Sequence, residues 1–183
     1  MSTLDGKKVA FLLTDGFEDS EFTSPWEAVT SAGATATLVS PADSDTITGK
    51  NGHEAPVDAA PGACDTADFD ALVLPGGVVN ADTLRMDGDA VQFAKAFFEA
   101  GKPVGVICHG AWILADADVL RGRTLTSYSS LQTDLRNAGA DWVDEEVVVD
   151  AGLVSSRTPD DLPAFNAKLV EEIEEGEHAG QTA

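Results

Sequence analysis

The residues best placed to do chemistry are Cys108 and His109, neighbours in the segment Ile107-Cys108-His109-Gly110. A thiolate is a strong nucleophile, and an imidazole beside it can take or return a proton. The run Lys102-Pro103-Val104-Gly105-Val106-Ile107 predicts a short buried strand before the pair. Ala111-Trp112-Ile113-Leu114-Ala115 predicts a packed helix after it, running on to Leu120. A cysteine on such a strand-to-helix turn meets helix N–H groups and the positive end of the helix dipole, both of which favour the thiolate. The expectation is therefore a pKa below the free-thiol value of about 8.5. Gly110 fits a sharp turn of the nucleophile-elbow kind, whereas Val106 departs from the small residue expected two positions before the nucleophile. The competing role is a buried cysteine that only fills space. Cys64, in the Pro61–Thr66 loop, lacks this context and reads as a bystander thiol.

The elements that must position Cys108 alternate between strand and helix. Val9 to Leu13, Ala36 to Ser40 and Phe69 to Leu74 predict buried strands. Phe22, Trp26 and Val29 stripe a helix closed by Gly33, with Pro25 either in its first turns or kinking it. Asn51-Gly52 marks a hairpin within residues 46–58. Phe93, Ala94 and Phe97 share one helical face, and a short strand at 124–126 precedes a helix through Leu131, Leu135 and Ala138. A second hairpin joins 147–149 to 153–155, and Leu162, Phe165, Leu169 and Ile173 stripe a final helix. The acidic tail after about residue 175 is expected to fray. Strands separated by helices imply a mostly parallel sheet covered on both faces, with chemistry at the carboxyl ends of its strands. Three loops leave strands at that edge, at 15–20, 75–82 and 108–110. Their convergence would bring Glu18, Gly76-Gly77 and Cys108 into one neighbourhood.

Charge narrows the function classes. The 183 residues carry 32 acids against 11 lysines and arginines, a net charge of −21. Such a surface repels nucleic acid and anionic membranes, so neither partner is expected. The acids are dispersed, a pattern that suits a halophilic cytoplasm in which high salt screens self-repulsion; an ordinary acidic protein is the alternative. The first residues lack a signal-peptide pattern, no apolar run is long enough to span a membrane, and two unclustered cysteines suit a reducing compartment. A cytoplasmic location is expected. No metal is expected, because no His or Cys pair has ligand spacing, and no cofactor, because phosphate-binding glycine loops are missing. His53 and His178 read as solvated surface residues.

Several segments together resemble the PfpI branch of the ThiJ/PfpI superfamily over roughly residues 7–175. They are Gly16-Phe17-Glu18-Asp19, Ile47-Thr48-Gly49-Lys50, Asp70 to Gly77, Gly101 to Val104, Ile107 to Gly110, Leu120 to Arg123, Asn137 to Asp144 and Val154 to Arg157. The resemblance implies a flavodoxin-like, doubly wound three-layer sandwich with a mostly parallel sheet, and a single domain over 1–183 is expected. It implies that Cys108 is the nucleophile, His109 its base and Glu18 the acid whose carboxyl hydrogen-bonds the sulfur. A carboxylate would repel a thiolate, so Glu18 would have to be protonated near neutral pH; its other role is a helix cap. Gly77 and His109 would offer backbone N–H groups as an oxyanion hole, although Gly76-Gly77 also suits a simple tight turn. Asp82 falls where the family places an acid that reaches the histidine of a neighbouring subunit, and it equally fits a surface acid. The implied substrates are a small carbonyl compound, a glycated side chain or a peptide; the exposed-looking 46–58 excursion and the possible Asp82 contact favour a homodimer or larger ring. A non-enzymatic stress protein whose Cys108 is reversibly oxidised is the rival class. A glutamine amidotransferase is disfavoured, since neither His53 nor His178 sits in a His-x-Glu pattern at the end of a late strand.

Overall fold

A computed structural model describes residues 3–182, so residues 1, 2 and 183 of the expected 1–183 domain lie outside it. The chain runs β1 (Lys8–Leu12), α1 (Asp19–Ser31), β2 (Thr35–Val39), β3 (Thr46–Thr48), β4 (Glu54–Pro56) and β5 (Ala71–Leu74). Then follow α2 (Val78–Arg85), α3 (Gly88–Glu99), β6 (Val104–Ile107) and α4 (Trp112–Asp116). The last part holds β7 (Thr124–Leu125), α5 (Gln132–Asn137), β8 (Asp141–Trp142), β9 (Val148–Asp150), β10 (Leu153–Ser156) and α6 (Leu162–Glu175). Strands β2-β1-β5-β6-β10-β9 form the main sheet in that order. All neighbours in it are parallel except β10 with β9.

Strand side chains alternate between two cores, as a sheet covered on both faces requires. Ala10, Leu12, Leu72, Leu74, Val104 and Val106 pack with residues of α3, α4 and α5. Val9, Phe11, Val73, Ile107 and Val154 pack with residues of α1 and α6. Gly105 lets α6 approach β6, for a Cβ there would lie 2.7 Å from the Leu169 side chain. The chain leaves β1 towards β2, then crosses to the other side of β1 to form β5. The carboxyl ends at such a reversal leave a crevice, and the loops after β1, β5 and β6 open there.

Four expectations change. The loop after β5 contains a helix, α2, begun at Gly77 (φ +96), where the turn signal hid the short helix behind it. The helix after Cys108 is one 3-10 turn plus the five residues of α4, and ends well before Leu120. The 147–155 hairpin is also part of the main sheet, because β10 pairs parallel with β6.

The tail does not fray. Gly176 turns back with φ +85, His178 N–H donates to Gly101 O at 2.8 Å, and Gln181 is buried. Gln181 Oε1 accepts from Arg123 Nη2 at 2.6 Å, and its Nε2 donates to Lys102 O at 3.1 Å. The tail is held because Gln181 supplies an acceptor to a buried guanidinium, which its composition does not reveal.

Candidate active site

Cys108 stands at the end of β6 with φ +61, a left-handed conformation that non-glycine residues adopt at a cost. The turn is held from below: a Cβ on Gly110 would run into the Leu74 carbonyl oxygen. This geometry turns the sulfur away from the sheet and towards the crevice, where Cys108 remains 7% exposed. Backbone N–H groups of Gly77 and His109 hydrogen-bond the sulfur. The two backbone groups expected at an oxyanion hole thus face the nucleophile. His109 Nδ1 lies 3.3 Å from Sγ, and Nε2 lies 3.2 Å from Ser130 Oγ. The ring stacks on Tyr128 at 4.6 Å between centroids. Burial, helped by the Lys50 charge, lowers the His109 pKa, so the neutral ring can accept a proton.

The acid at the sulfur is Glu21, one turn of α1 beyond the residue expected there. Glu21 is 0% exposed, and apart from Cys108 neither carboxyl oxygen finds a hydrogen-bond partner. Gly76 makes room for the pair, since a Cβ there would lie 2.7 Å from Cys108 Cβ and 2.8 Å from Glu21 Oε2. Glu18 occupies the N-cap position of α1 but its side chain makes no cap hydrogen bond. Its carboxyl instead pairs with Lys50 Nζ and accepts from Asn51 Nδ2 at 3.4 Å. Helical phase explains the exchange: Glu21 shares a column with Pro25 and Val29, both buried, whereas Glu18 precedes the first turn.

Burial and the Glu18 charge raise the Glu21 pKa to about 8. Burial and Glu21 together push Cys108 up to about 12, against the pull of the two backbone N–H groups. The expectation of a thiol below its free value is therefore not met while Glu21 is ionised. The helix beyond Cys108 is too short to supply much dipole, and a carboxylate stands on the other side. Groups in such contact titrate as a pair. Near neutral pH the pair holds two protons, and the first leaves near the Glu21 value of about 8. With one proton left, a neutral Glu21 can donate to a thiolate, which is the role the resemblance gave to Glu18.

The surrounding cleft has a volume of about 310 Å³ and is bounded by Glu18, Glu21, Lys50, Cys108, His109 and Tyr128. Asn80, fully buried on α2, ties the loops after β1 and β5 together. It accepts from Thr14 N–H at 2.7 Å and donates to the Pro75 and Gly76 carbonyls at 3.1 and 3.0 Å. Asp82 lies exposed on α2 and does not line the cleft. Cys64 is half-buried against the α3 core, and His53 is exposed with its ring against Phe17 and Phe22. His178, expected at the surface, is half-buried beside Glu172. The sequence reading missed Glu21, Lys50, Tyr128 and Ser130. An acid on the apolar column of α1 was the signal available for Glu21.

Known proteins carry the same arrangement of chain. General stress protein 18 of Bacillus subtilis (strain 168) is 48% identical over 171 residues, covering 92% of this chain and 99% of the relative. Protein/nucleic acid deglycase 2 of Escherichia coli (strain K12) is 49% identical over 166 residues, 90% of this chain and 96% of the relative. The crystal structure of a ThiJ/PfpI domain protein from Brachyspira murdochii superposes with a TM-score of 0.87 at 27% identity, over 93% of this chain and 99% of that one. Residues 7–172 match the DJ-1/PfpI family. The chain belongs to that family.

Proposed function

We propose that this protein is a cysteine-dependent enzyme acting on small reactive carbonyls and their adducts with amino groups, a deglycase or glyoxalase-like activity. The observation that carries this reading is Cys108 in its left-handed turn with Glu21 against the sulfur and His109 Nδ1 at 3.3 Å. In the proposed first step sulfur bonds to the carbonyl carbon and the C=O π pair moves to oxygen. The thiol proton passes to the neutral His109 ring, and the new oxyanion takes the proton that Glu21 holds. The N–H groups of Gly77 and His109 are the donors for that oxyanion. At about 310 Å³ the cleft is at the small end of ligand sites, which favours a short carbonyl compound or glycated side-chain tip over a peptide. Glu18 and Lys50 at the rim would orient polar substituents. The negative charge disfavours polynucleotides as substrates.

Two further elements belong to the same proposal. Asp82 shares α2 with the exposed Val78 and Val79, so a homodimer joined through α2 would cover these residues and bring Asp82 towards a partner's cleft. Among the described residues no helix is long and apolar enough to cross a membrane; a cytoplasmic setting, saline or ordinary, is proposed. The rival reading, a thiol whose oxidation signals stress, draws on the same Cys108–Glu21 contact, because a protonated carboxyl can donate to a sulfinate oxygen. The deciding experiment feeds methylglyoxal, an amino acid glycated by methylglyoxal and a short peptide to wild type and Cys108→Ala. D-lactate from the first two substrates, absent in Cys108→Ala, is the expected result. Equal turnover by both proteins overturns the enzyme reading, and no turnover by either leaves the oxidation role in possession.

A further inference from the structure

At the opposite end of the sheet the docked tail builds a second polar cluster. His178 Nε2 lies 3.0 Å from Glu172 Oε2 and 3.8 Å from Glu175 Oε2. Glu172 is 6% exposed, and neither its Oε2 nor His178 Nε2 has a hydrogen-bond partner, although they are neighbours. The ring nitrogen therefore points beside the carboxylate oxygen rather than at it. Two ligands on one cation do this: each points at the ion, and at bond lengths near 2.1 Å adjacent octahedral ligands stand about 3.0 Å apart. One such atom from each of Glu172, Glu175 and His178 falls within 4.8 Å of the others. The nearby lysines are engaged elsewhere, Lys168 with Glu171 at 2.7 Å and Lys7 with Asp70 at 3.8 Å.

The tail backbone holds the imidazole in place. Besides the bond to Gly101, a Cβ on Gly152 would come within 3.0 Å of His178 Cδ2, so the ring is seated against a glycine. An unpaired, buried carboxylate oxygen is costly unless something neutralises it.

We propose that Glu172, Glu175 and His178 form a binding site for one divalent first-row transition cation of the Zn²⁺ class. Imidazole with two carboxylates suits these ions, whereas Mg²⁺ and Ca²⁺ prefer all-oxygen sites. Glu175, half-exposed at the cluster edge, leaves the remaining coordination positions to water. The ion would staple the tail to the end of α6 and, through Gly101 and Gly152, to the starts of β6 and β10.

The test uses the full chain, freed of metal by chelation, titrated with Zn²⁺ in a calorimeter, with Co²⁺ as a spectroscopic probe. One Zn²⁺ per chain is expected, with binding weakened tenfold or more in His178→Ala and in Glu175→Gln. Cys108→Ser should bind Zn²⁺ as wild type does, and bound Co²⁺ should show no sulfur-to-metal charge-transfer band. Zn²⁺ should raise the melting temperature of wild type but not of His178→Ala, whose metal-free melt shows that it folds. No Zn²⁺ binding by wild type, undiminished binding in His178→Ala, or loss of binding in Cys108→Ser overturns the proposal.

Discussion

The two ends of β6 and β10 make similar local arrangements and put them to different uses. At the carboxyl ends a buried glutamate, Glu21, meets a sulfur, with an imidazole 3.3 Å from that sulfur. At the amino ends a buried glutamate, Glu172, has an imidazole beside it at 3.0 Å, without a hydrogen bond between them. Burial raises both carboxyls, but His178 opposes the rise at Glu172, whereas Glu18 adds to it at Glu21. The acid at the amino ends has an imidazole beside it that opposes the rise. A buried acid beside a thiol and another acid keeps its proton and can give it away.

The largest effects should come from removing the Glu21 carboxyl. Glu21→Gln should lower turnover about 100-fold or more, as expected for loss of a general acid. The alkylation rate of Cys108 should also lose its inflection near pH 8, the value that Glu21 sets. Stability should move the other way. The folded pKa of Glu21 lies above its unfolded value of 4.5, so the native state binds the extra proton between 4.5 and about 8. Wild-type stability should therefore fall as pH rises through that window. Glu21→Gln, free of the penalty, should melt higher than wild type at pH 9, with a difference on the order of a few kcal/mol that vanishes towards pH 4. Unchanged pH profiles of melting and alkylation would remove Glu21 from the mechanism.

At the other end Glu172→Gln should shift the same melting profile in the same direction by less, because the neighbouring His178 opposes the rise that burial causes there. An equal or larger shift would break the contrast between the two ends. Smaller again is Glu18→Gln. It loses an ion pair to a half-exposed lysine, worth about 1 kcal/mol at most, and should leave the Cys108 alkylation profile nearly in place. A profile moved as far as in Glu21→Gln would restore Glu18 as the sulfur's acid. Salt should act on both ends alike. With a net charge of −21, raising KCl from 0.1 to 1 M shortens the screening length from about 10 to about 3 Å and should raise the melting temperature by several degrees. A flat melting temperature across that range would count against adaptation to high salt.

How much of this was legible in the sequence depended on whether the signal was local. Cys108, His109, Gly77 and Gly110 lie in turns whose residue types announce the backbone they need. The parallel sheet followed from its apolar runs, and the three loops do meet at one edge. Glu18 and Glu21 are both acids at the start of one helix, and only its phase against the sheet separates them. The column Glu21, Pro25 and Val29 held that information, but a charged residue on an apolar stripe is easily assigned to solvent. The tail was misjudged because its anchor, Arg123, lies 58 residues away from Gln181. His178 belonged to no motif, since its partner Glu172 lies six positions back across the Gly176 turn.

The left-handed turn at Cys108 bears on how the site endures over generations. For most side chains that conformation costs about 1–2 kcal/mol relative to glycine. Drift at position 108 is thus biased towards a glycine that would relax the backbone while discarding the sulfur. Only selection for the thiol holds the position against that bias. A lineage that ceased to need the chemistry would leave a record of it there, as a sounder fold with a silent cleft.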